Sequence, residues 1–319
     1  MTVGILGAGA FGTSLSIALS TPNKKLILWT QNHGTVKSIQ EVRENRLRLP
    51  GYILPKQIIA TNDIAEIKDC SIVLIAVPMQ QLRSLVEMHG SILKGKILVA
   101  CCKGFEVSSG LGPTAILEIA SEKTAVLTGP SFASDLASGF PTALTIASKV
   151  EGLAKYIQKE LGTEILRLYW SNDPIGAELG GALKNVIAIG CGVTIGAGYG
   201  SSSRAALMTR GYSEIVNIAP FFGAKPETLF GLSGLGDLSL TCMSSESRNY
   251  QYGLALGKQQ SFNKNITVEG VSTSSAIVLK ANEFEVDTPV MAVINNLVLG
   301  KISLTHAIQN LLSRPQRQE

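Results

Sequence analysis

Residues 7–12 read G-A-G-A-F-G and follow directly on the apolar run Val3–Leu6. No other feature constrains the chain as much. A run that can form a strand, broken at once by glycines spaced G-x-G-x-x-G and followed by the helix-like Thr13–Ser20, is a strand–turn–helix unit. Each glycine has its own task. Gly7 permits the tight turn, Gly9 lets a pyrophosphate approach the backbone, and Gly12 lets the helix pack on the strand. The unpaired N–H groups at the start of the helix, beside Ala10 and Phe11, favour phosphate. The spacing alone is a weak signal. Its place after one strand and before a second, Lys25–Trp29, points to a dinucleotide.

The first half continues in the same way. Ile58–Ala60, Ile72–Val77, Ile97–Ala100, Ala125–Leu127, Ala143–Ala147 and Ile165–Tyr169 read as strands, with helical segments such as Gln80–Glu87 between them. Alternating strands and helices imply a mostly parallel sheet covered on both faces. Beyond Gly180 the apolar residues recur at helical spacing, over Leu207–Phe221, Arg248–Leu256, Thr273–Asn282, Val290–Leu299 and Ser303–Leu311. The expected fold class is α/β: an N-terminal Rossmann-like, doubly wound, mostly parallel sheet over residues 1–178, then a C-terminal all-helical domain over 179–319. The tail Arg314–Glu319 is polar and is expected to fray.

Composition excludes several classes. Hydrophobic residues make up 45% of the 319 and charged residues 16%, enough apolar material for two cores and too little charge for a disordered chain. A net charge of +4 without a basic stripe gives no reason to expect nucleic acid. The short cluster Arg43, Arg46 and Arg48 is either a solvated helix face or the border of an anion site. Five irregularly placed cysteines make no disulfide scaffold, and adjacent Cys101 and Cys102 read as buried thiols. His33, His89 and His306 are not placed to share a metal with cysteine, so no metal is expected. The N-terminus does not read as a signal peptide, and a cytoplasmic location is expected. The uncharged stretch Asn185–Ser203 reads as a buried helix ending in a glycine-rich turn, not as a membrane span.

Ligands gather at the carboxyl ends of strands in such sheets. The second strand ends L-W-T-Q-N-H, without the acid that would hold a ribose 2′-hydroxyl. Gln31, Asn32 and His33 can hydrogen-bond a ribose or its phosphate, and Arg43 or Arg46 is a candidate for a 2′-phosphate. NAD and NADP both stay open. Lys103 closes a later strand in C-C-K-G. Thr128–Ala133 closes the next, and Gly129 and Ser131 there can offer donors to an anion. The helical domain opens G-G-A-L-K-N. Lys184, beside Asn185 in a strongly apolar helix, should lose its proton more readily through desolvation and suit proton transfer. Gly234–Leu238 places Asp237 in a glycine-rich turn, with Thr241 four residues on. Ser247, Arg248 and Asn249 follow at a helix start, where serine can cap and arginine and asparagine can grip phosphate. A dinucleotide, a proton-transfer pair and an anion clamp together suggest hydride transfer to a small phosphorylated carbonyl compound.

The segments GAGAFGTSL, CCKGFE, LTGPSFASDLASGFPTA, ELGGALKNVIAI, ALMTRG, GLSGLGDLSLTCMSSESRN and VEGVSTS, with the closing LLSR, resemble the bacterial NAD(P)-dependent glycerol-3-phosphate dehydrogenases over nearly the whole chain. The resemblance implies reversible reduction of dihydroxyacetone phosphate to sn-glycerol 3-phosphate for phospholipid synthesis, and a homodimer. It implies that Lys184 is the proton donor and acceptor. Lys103, Gly129, Ser131, Asp237, Thr241, Ser247, Arg248 and Asn249 would meet the substrate. Ala133, Arg248 and Glu269 would lie near the nucleotide, with Ala10, Phe11, Gln31, Lys103 and Thr267. Phe11 stands where the family often has tryptophan, Gln31 near its usual arginine, Arg48 where an aromatic residue is common, Ser202 near a frequent asparagine, and Thr267 in place of an apolar residue. Two other readings share parts of this pattern. A 3-hydroxy acid dehydrogenase would turn Arg248 and Asn249 toward a carboxylate. A non-enzymatic nucleotide sensor would have no use for Lys103, Lys184 and Asp237.

Overall fold

The computed structural model describes residues 1–264 and 266–312. Ser313 and Arg314 of the LLSR motif, and the tail 314–319, lie outside them. In chain order the elements of the first half are β1 (Thr2–Leu6), α1 (Ala10–Ala18), β2 (Lys25–Trp29), α2 (His33–Val42), β3 (Glu44–Asn45), β4 (Leu49–Ile53), β5 (Ile58–Thr61), β6 (Ile72–Ile75), α3 (Leu82–Leu93), β7 (Ile97–Ala100), α4 (Pro113–Leu117), β8 (Thr124–Thr128), α5 (Ala133–Ala137), β9 (Thr142–Ala147), α6 (Leu153–Leu161) and β10 (Leu166–Ser171). The helical half runs α7 (Pro174–Gly196), α8 (Ser201–Ile218), α9 (Pro226–Leu229), a π-helical turn (Leu232–Gly236), α10 (Asp237–Met243), α11 (Arg248–Gly257), α12 (Glu269–Glu283), α13 (Pro289–Val298) and α14 (Leu304–Leu312).

Two compact units emerge. One comprises Met1–Lys103 and Leu111–Ala177; the other comprises Gly104–Gly110 and Glu178–Glu319. The second unit therefore reclaims seven residues from inside the first, which an uninterrupted division into 1–178 and 179–319 does not contain. Phe105 explains the excursion. It is 6% exposed in the helical core, with its ring stacked on Phe222 at 5.8 Å.

The first unit is built on an eight-stranded sheet ordered β10-β9-β8-β7-β6-β1-β2-β5. All neighbours are parallel except β8 and β9. Its central strands β1, β6 and β7 are near-continuous apolar runs because both faces are covered, whereas the edge strand β10 alternates buried and exposed residues. Val3, Ile5, Leu26, Leu28, Ile72 and Leu74 enter one core, while Leu6, Ile27, Trp29, Val73 and Ile75 enter the other, as a period of two requires. From β1 the order proceeds to β2 on one side and to β6 on the other. Such a reversal opens a crevice at the strands' carboxyl ends. The expected fourth strand, Ile72–Val77, ends earlier, at Ile75, as β6, and the antiparallel β3–β4 hairpin has no counterpart in the expected strands.

The second unit packs around α7, which is buried at every residue from Gly176 to Thr194. This helix is long and apolar enough to cross a bilayer, but 89% of its most apolar window is buried in protein. It ends at Gly196. Ser201–Ser203, expected within its glycine-rich turn, instead open α8, whose N-cap is Gly200. Helices α7 and α11 cross without side chains at the closest points. A Cβ on Gly192 would overlap the Tyr250 carbonyl oxygen, and one on Gly253 would overlap that of Ile189.

Candidate active site

In the first unit the glycine loop occupies the strand-order reversal. Gly7 has φ of +110°, and a Cβ there would stand 2.7 Å from the Ala76 carbonyl oxygen. A Cβ on Gly12 would overlap the Gly7 carbonyl oxygen. Only glycine serves at either position. Gly9 differs: a Cβ there would meet nothing within 4 Å. It is the N-cap of α1 and has no side chain to cap it, so no capping side chain takes up the helix's first N–H groups. This is a cradle that a pyrophosphate fits and a larger side chain would fill. Ala10 and Phe11 begin the helix beside it.

At the end of β2, Asn32 is the N-cap of α2, accepting from Thr35 N at 2.8 Å. Gln31 is exposed, and His33 is exposed beside Asn62. Arg43 is not on a solvated helix face; its guanidinium is turned onto the backbone. At the C-cap of α2, with φ of +56°, it donates Nε to the Leu54 carbonyl at 3.2 Å and Nη2 to those of Pro55 and Ile58, the latter at 2.9 Å. Arg46 pairs with Glu44, and Arg48 is exposed. Lys103, just past β7, donates to the Gly129 carbonyl oxygen at 3.3 Å. Gly129 follows β8 with φ of +140°. Ser131 Oγ reaches the same carbonyl at 3.5 Å, and Ala133 opens α5. The first unit thus brings Lys103, Gly129 and Ser131 together.

In the second unit Lys184 is 7% exposed, Asp237 0% and Thr241 4%. Lys184 Nζ donates to Asp237 Oδ1 and, at 2.8 Å, to Thr241 Oγ1. Thr241 Oγ1 in turn donates to the Asp237 carbonyl oxygen at 2.6 Å. The local fold explains the meeting. A Cβ on Gly180 would fall 2.5 Å from the Ser233 carbonyl oxygen, so this bare position on α7 lets the π-helical turn lie against the helix. Lys184 is four residues on, on the same face of α7. The turn leads straight into Asp237 at the start of α10, and Thr241 follows one turn later. A buried ammonium without a counter-charge would be very costly; here a carboxylate and a hydroxyl meet it.

Ser247 caps α11, accepting from Tyr250 N at 3.2 Å. Arg248 begins the helix and is exposed. Asn249 is buried and also structural. Its Nδ2 donates to Asn185 Oδ1 at 2.8 Å, and its Oδ1 accepts from Gly270 N at 2.9 Å, tying α7, α11 and α12 together. One Nδ2 hydrogen remains for a ligand. Burial holds the Glu269 carboxyl above the usual range, and the nearby Arg248 charge pulls it partly back. Thr267 is exposed two residues before. Among the described residues no group of three or more His, Cys, Asp or Glu could hold a metal.

The sequence does not single out Asn45. It is wholly buried, and its Nδ2 donates to the Ala8 carbonyl oxygen at 2.9 Å and to Thr13 Oγ1 at 2.8 Å, inside the glycine loop and α1. No local signal marks it, because the partners of its Nδ2 lie more than 30 residues upstream.

Comparison with known proteins agrees with this geometry. Residues 2–154 match the model of the NAD-dependent glycerol-3-phosphate dehydrogenase N-terminus, and residues 173–309 match that of its C-terminus. A glycerol-3-phosphate dehydrogenase [NAD(P)+] of Ruegeria sp. is 48% identical, with all of both chains covered. The crystal structure of a glycerol-3-phosphate dehydrogenase from Coxiella burnetii has a TM-score of 0.91 at 31% identity, covering 98% of this chain and 99% of that one. The fold alone is shared with the yeast enzyme, at a TM-score of 0.83 and 20% identity over 98% of this chain and 99% of that one. The chain belongs to the NAD-dependent glycerol-3-phosphate dehydrogenase family.

Proposed function

We propose that the two units divide the work of an NAD(P)-dependent dehydrogenase that interconverts dihydroxyacetone phosphate and sn-glycerol 3-phosphate, the first holding the dinucleotide and the second carrying substrate binding and proton transfer. The observation that carries this reading is the buried Lys184–Asp237–Thr241 group. When bound, the nicotinamide supplies or accepts the hydride. Lys184 gives its proton to the ketone oxygen in the reducing direction and takes it from the hydroxyl in reverse, exchanging it with solvent between turnovers. Asp237 and Thr241 fix the direction of the ammonium. Lys103 adds positive charge near the developing alkoxide.

Arg248, Asn249 and Ser247 hold the substrate phosphate, so that binding energy away from the carbonyl becomes orientation. Gly129 and Ser131 line the same substrate. The nucleotide-binding residues of this reading are Gly7, Gly9, Ala10, Phe11, Gly12, Gln31, Lys103, Ala133, Arg248, Thr267 and Glu269. The product is a backbone for phospholipid synthesis. A homodimer in the cytoplasm completes the reading. The five cysteines are all free and buried, which suits a reducing compartment. The test is nicotinamide absorbance with dihydroxyacetone phosphate, with NADH and NADPH in parallel. Oxidation of either supports the reading, and no turnover with both contradicts it.

A further inference from the structure

We propose that Asn45 is a positioning residue for the nucleotide: it turns the Ala8–Gly9 peptide so that the Gly9 N–H faces the pyrophosphate. The inference rests on the reading that the glycine loop binds a dinucleotide. Asn45 is 0% exposed, and both of its side-chain polar atoms have partners. Both amide hydrogens are used, on Ala8 O at 2.9 Å and Thr13 Oγ1 at 2.8 Å, and Oδ1 accepts from Arg48 N at 3.3 Å.

The Ala8 carbonyl and the Gly9 N–H belong to one trans peptide, so they point in opposite directions. Drawing the oxygen toward Asn45 therefore turns the N–H away from it. Among the described residues that N–H has no partner, and the space beside Gly9 is open to 4 Å. Gly9 has no Cβ to resist rotation of the peptide, so nothing in its own chemistry fixes this orientation. The clamp comes from β3, which explains why so short a hairpin follows α2: it delivers one amide to the loop. Arg43 anchors the same hairpin's exit through the Leu54, Pro55 and Ile58 carbonyls.

The experiment compares wild type with Asn45→Ala in the full chain. It measures NADH affinity, inhibition by inorganic pyrophosphate and by adenosine against NADH, kcat at saturating NADH, and melting temperature without nucleotide. Loss of one aimed backbone donor should weaken NADH and pyrophosphate about tenfold. Adenosine inhibition, kcat and the KM for dihydroxyacetone phosphate should stay within about twofold. Unchanged NADH affinity overturns the inference, as does equal weakening of pyrophosphate and adenosine, which marks general damage to the unit. If Asn45→Ala does not fold, Thr13→Val carries the test. It removes one anchor and should weaken pyrophosphate about threefold with adenosine unchanged; no change in either overturns the inference. Failure of the wild type to bind NADH would refute the nucleotide reading itself and is thereby distinguished.

Discussion

Breaking the buried ion pair and replacing it whole should have opposite effects. Asp237 and Lys184 are both nearly sealed from water, with side chains 1% and 8% exposed. Asp237→Leu leaves an ammonium facing an apolar wall, with Thr241 Oγ1 its remaining partner among the bonds described above. Removing one member of such a pair costs about 3–5 kcal/mol. That is a large share of the roughly 5–15 kcal/mol that holds a domain together. For a unit of this size it lowers the melting temperature by about 10 °C or more. Lys184→Met should cost a comparable amount, since it removes the carboxylate's buried counter-charge. The double variant Lys184→Met/Asp237→Leu removes both charges together. It should recover to within about 1 kcal/mol of wild type, because a well-packed apolar pair often matches a buried ion pair. It should nevertheless be inactive. Thermal unfolding of the four proteins, with turnover measured on the same preparations, closes the cycle. If the double variant loses the sum of the two single losses, the charges are not coupled as the geometry requires. If it retains turnover, Lys184 is not the proton carrier.

Gly9→Ala should fold like wild type, because its Cβ meets nothing within 4 Å, yet bind NADH at least about tenfold more weakly; Gly12→Ala should instead fail to fold well, since its Cβ overlaps a carbonyl oxygen, and a melting curve separates the two. Glu269 is held above the usual glutamate range chiefly by burial. The folded chain therefore keeps this proton at pH values where the unfolded chain has released it, and stability falls as pH rises through that window. Glu269→Gln should flatten that part of the stability–pH curve, and an unchanged slope in urea titrations across it would contradict the assignment. Arg43→Ala should lower stability by about 1–3 kcal/mol through lost bonds to backbone carbonyls. It should leave the ratio of NADH to NADPH affinity unchanged; a selective loss of NADPH would return Arg43 to the 2′-phosphate.

The parts of the molecule visible in the sequence are those set by neighbours close in the chain. The central strands stand out because burial on both faces makes them nearly unbroken apolar runs, and the Ser247 cap is visible because its partner, Tyr250, is three residues away. The glycine loop is visible because turn, approach and packing each demand a bare position within six residues. What escaped depends on distant partners. Arg43 resembles a surface cation until its three carbonyls, 11–15 residues downstream, fold back on it. Asn45 lies in a two-residue strand that no periodicity can reveal. The capture of 104–110 by the helical unit turns on where Phe105 finds a core. Lys184 and Asp237 are 53 residues apart. Their residue types suggested proton transfer, but only folding shows that they touch.

Lys184 is expected to move the proton without itself holding the nucleotide. Titration of Lys184→Ala with NADH, followed by turnover with dihydroxyacetone phosphate on the same sample, tests it most directly. The expected result is NADH affinity within about twofold of wild type and a loss of kcat of at least about a hundredfold. Turnover near the wild-type rate, or loss of NADH binding together with activity, would contradict it.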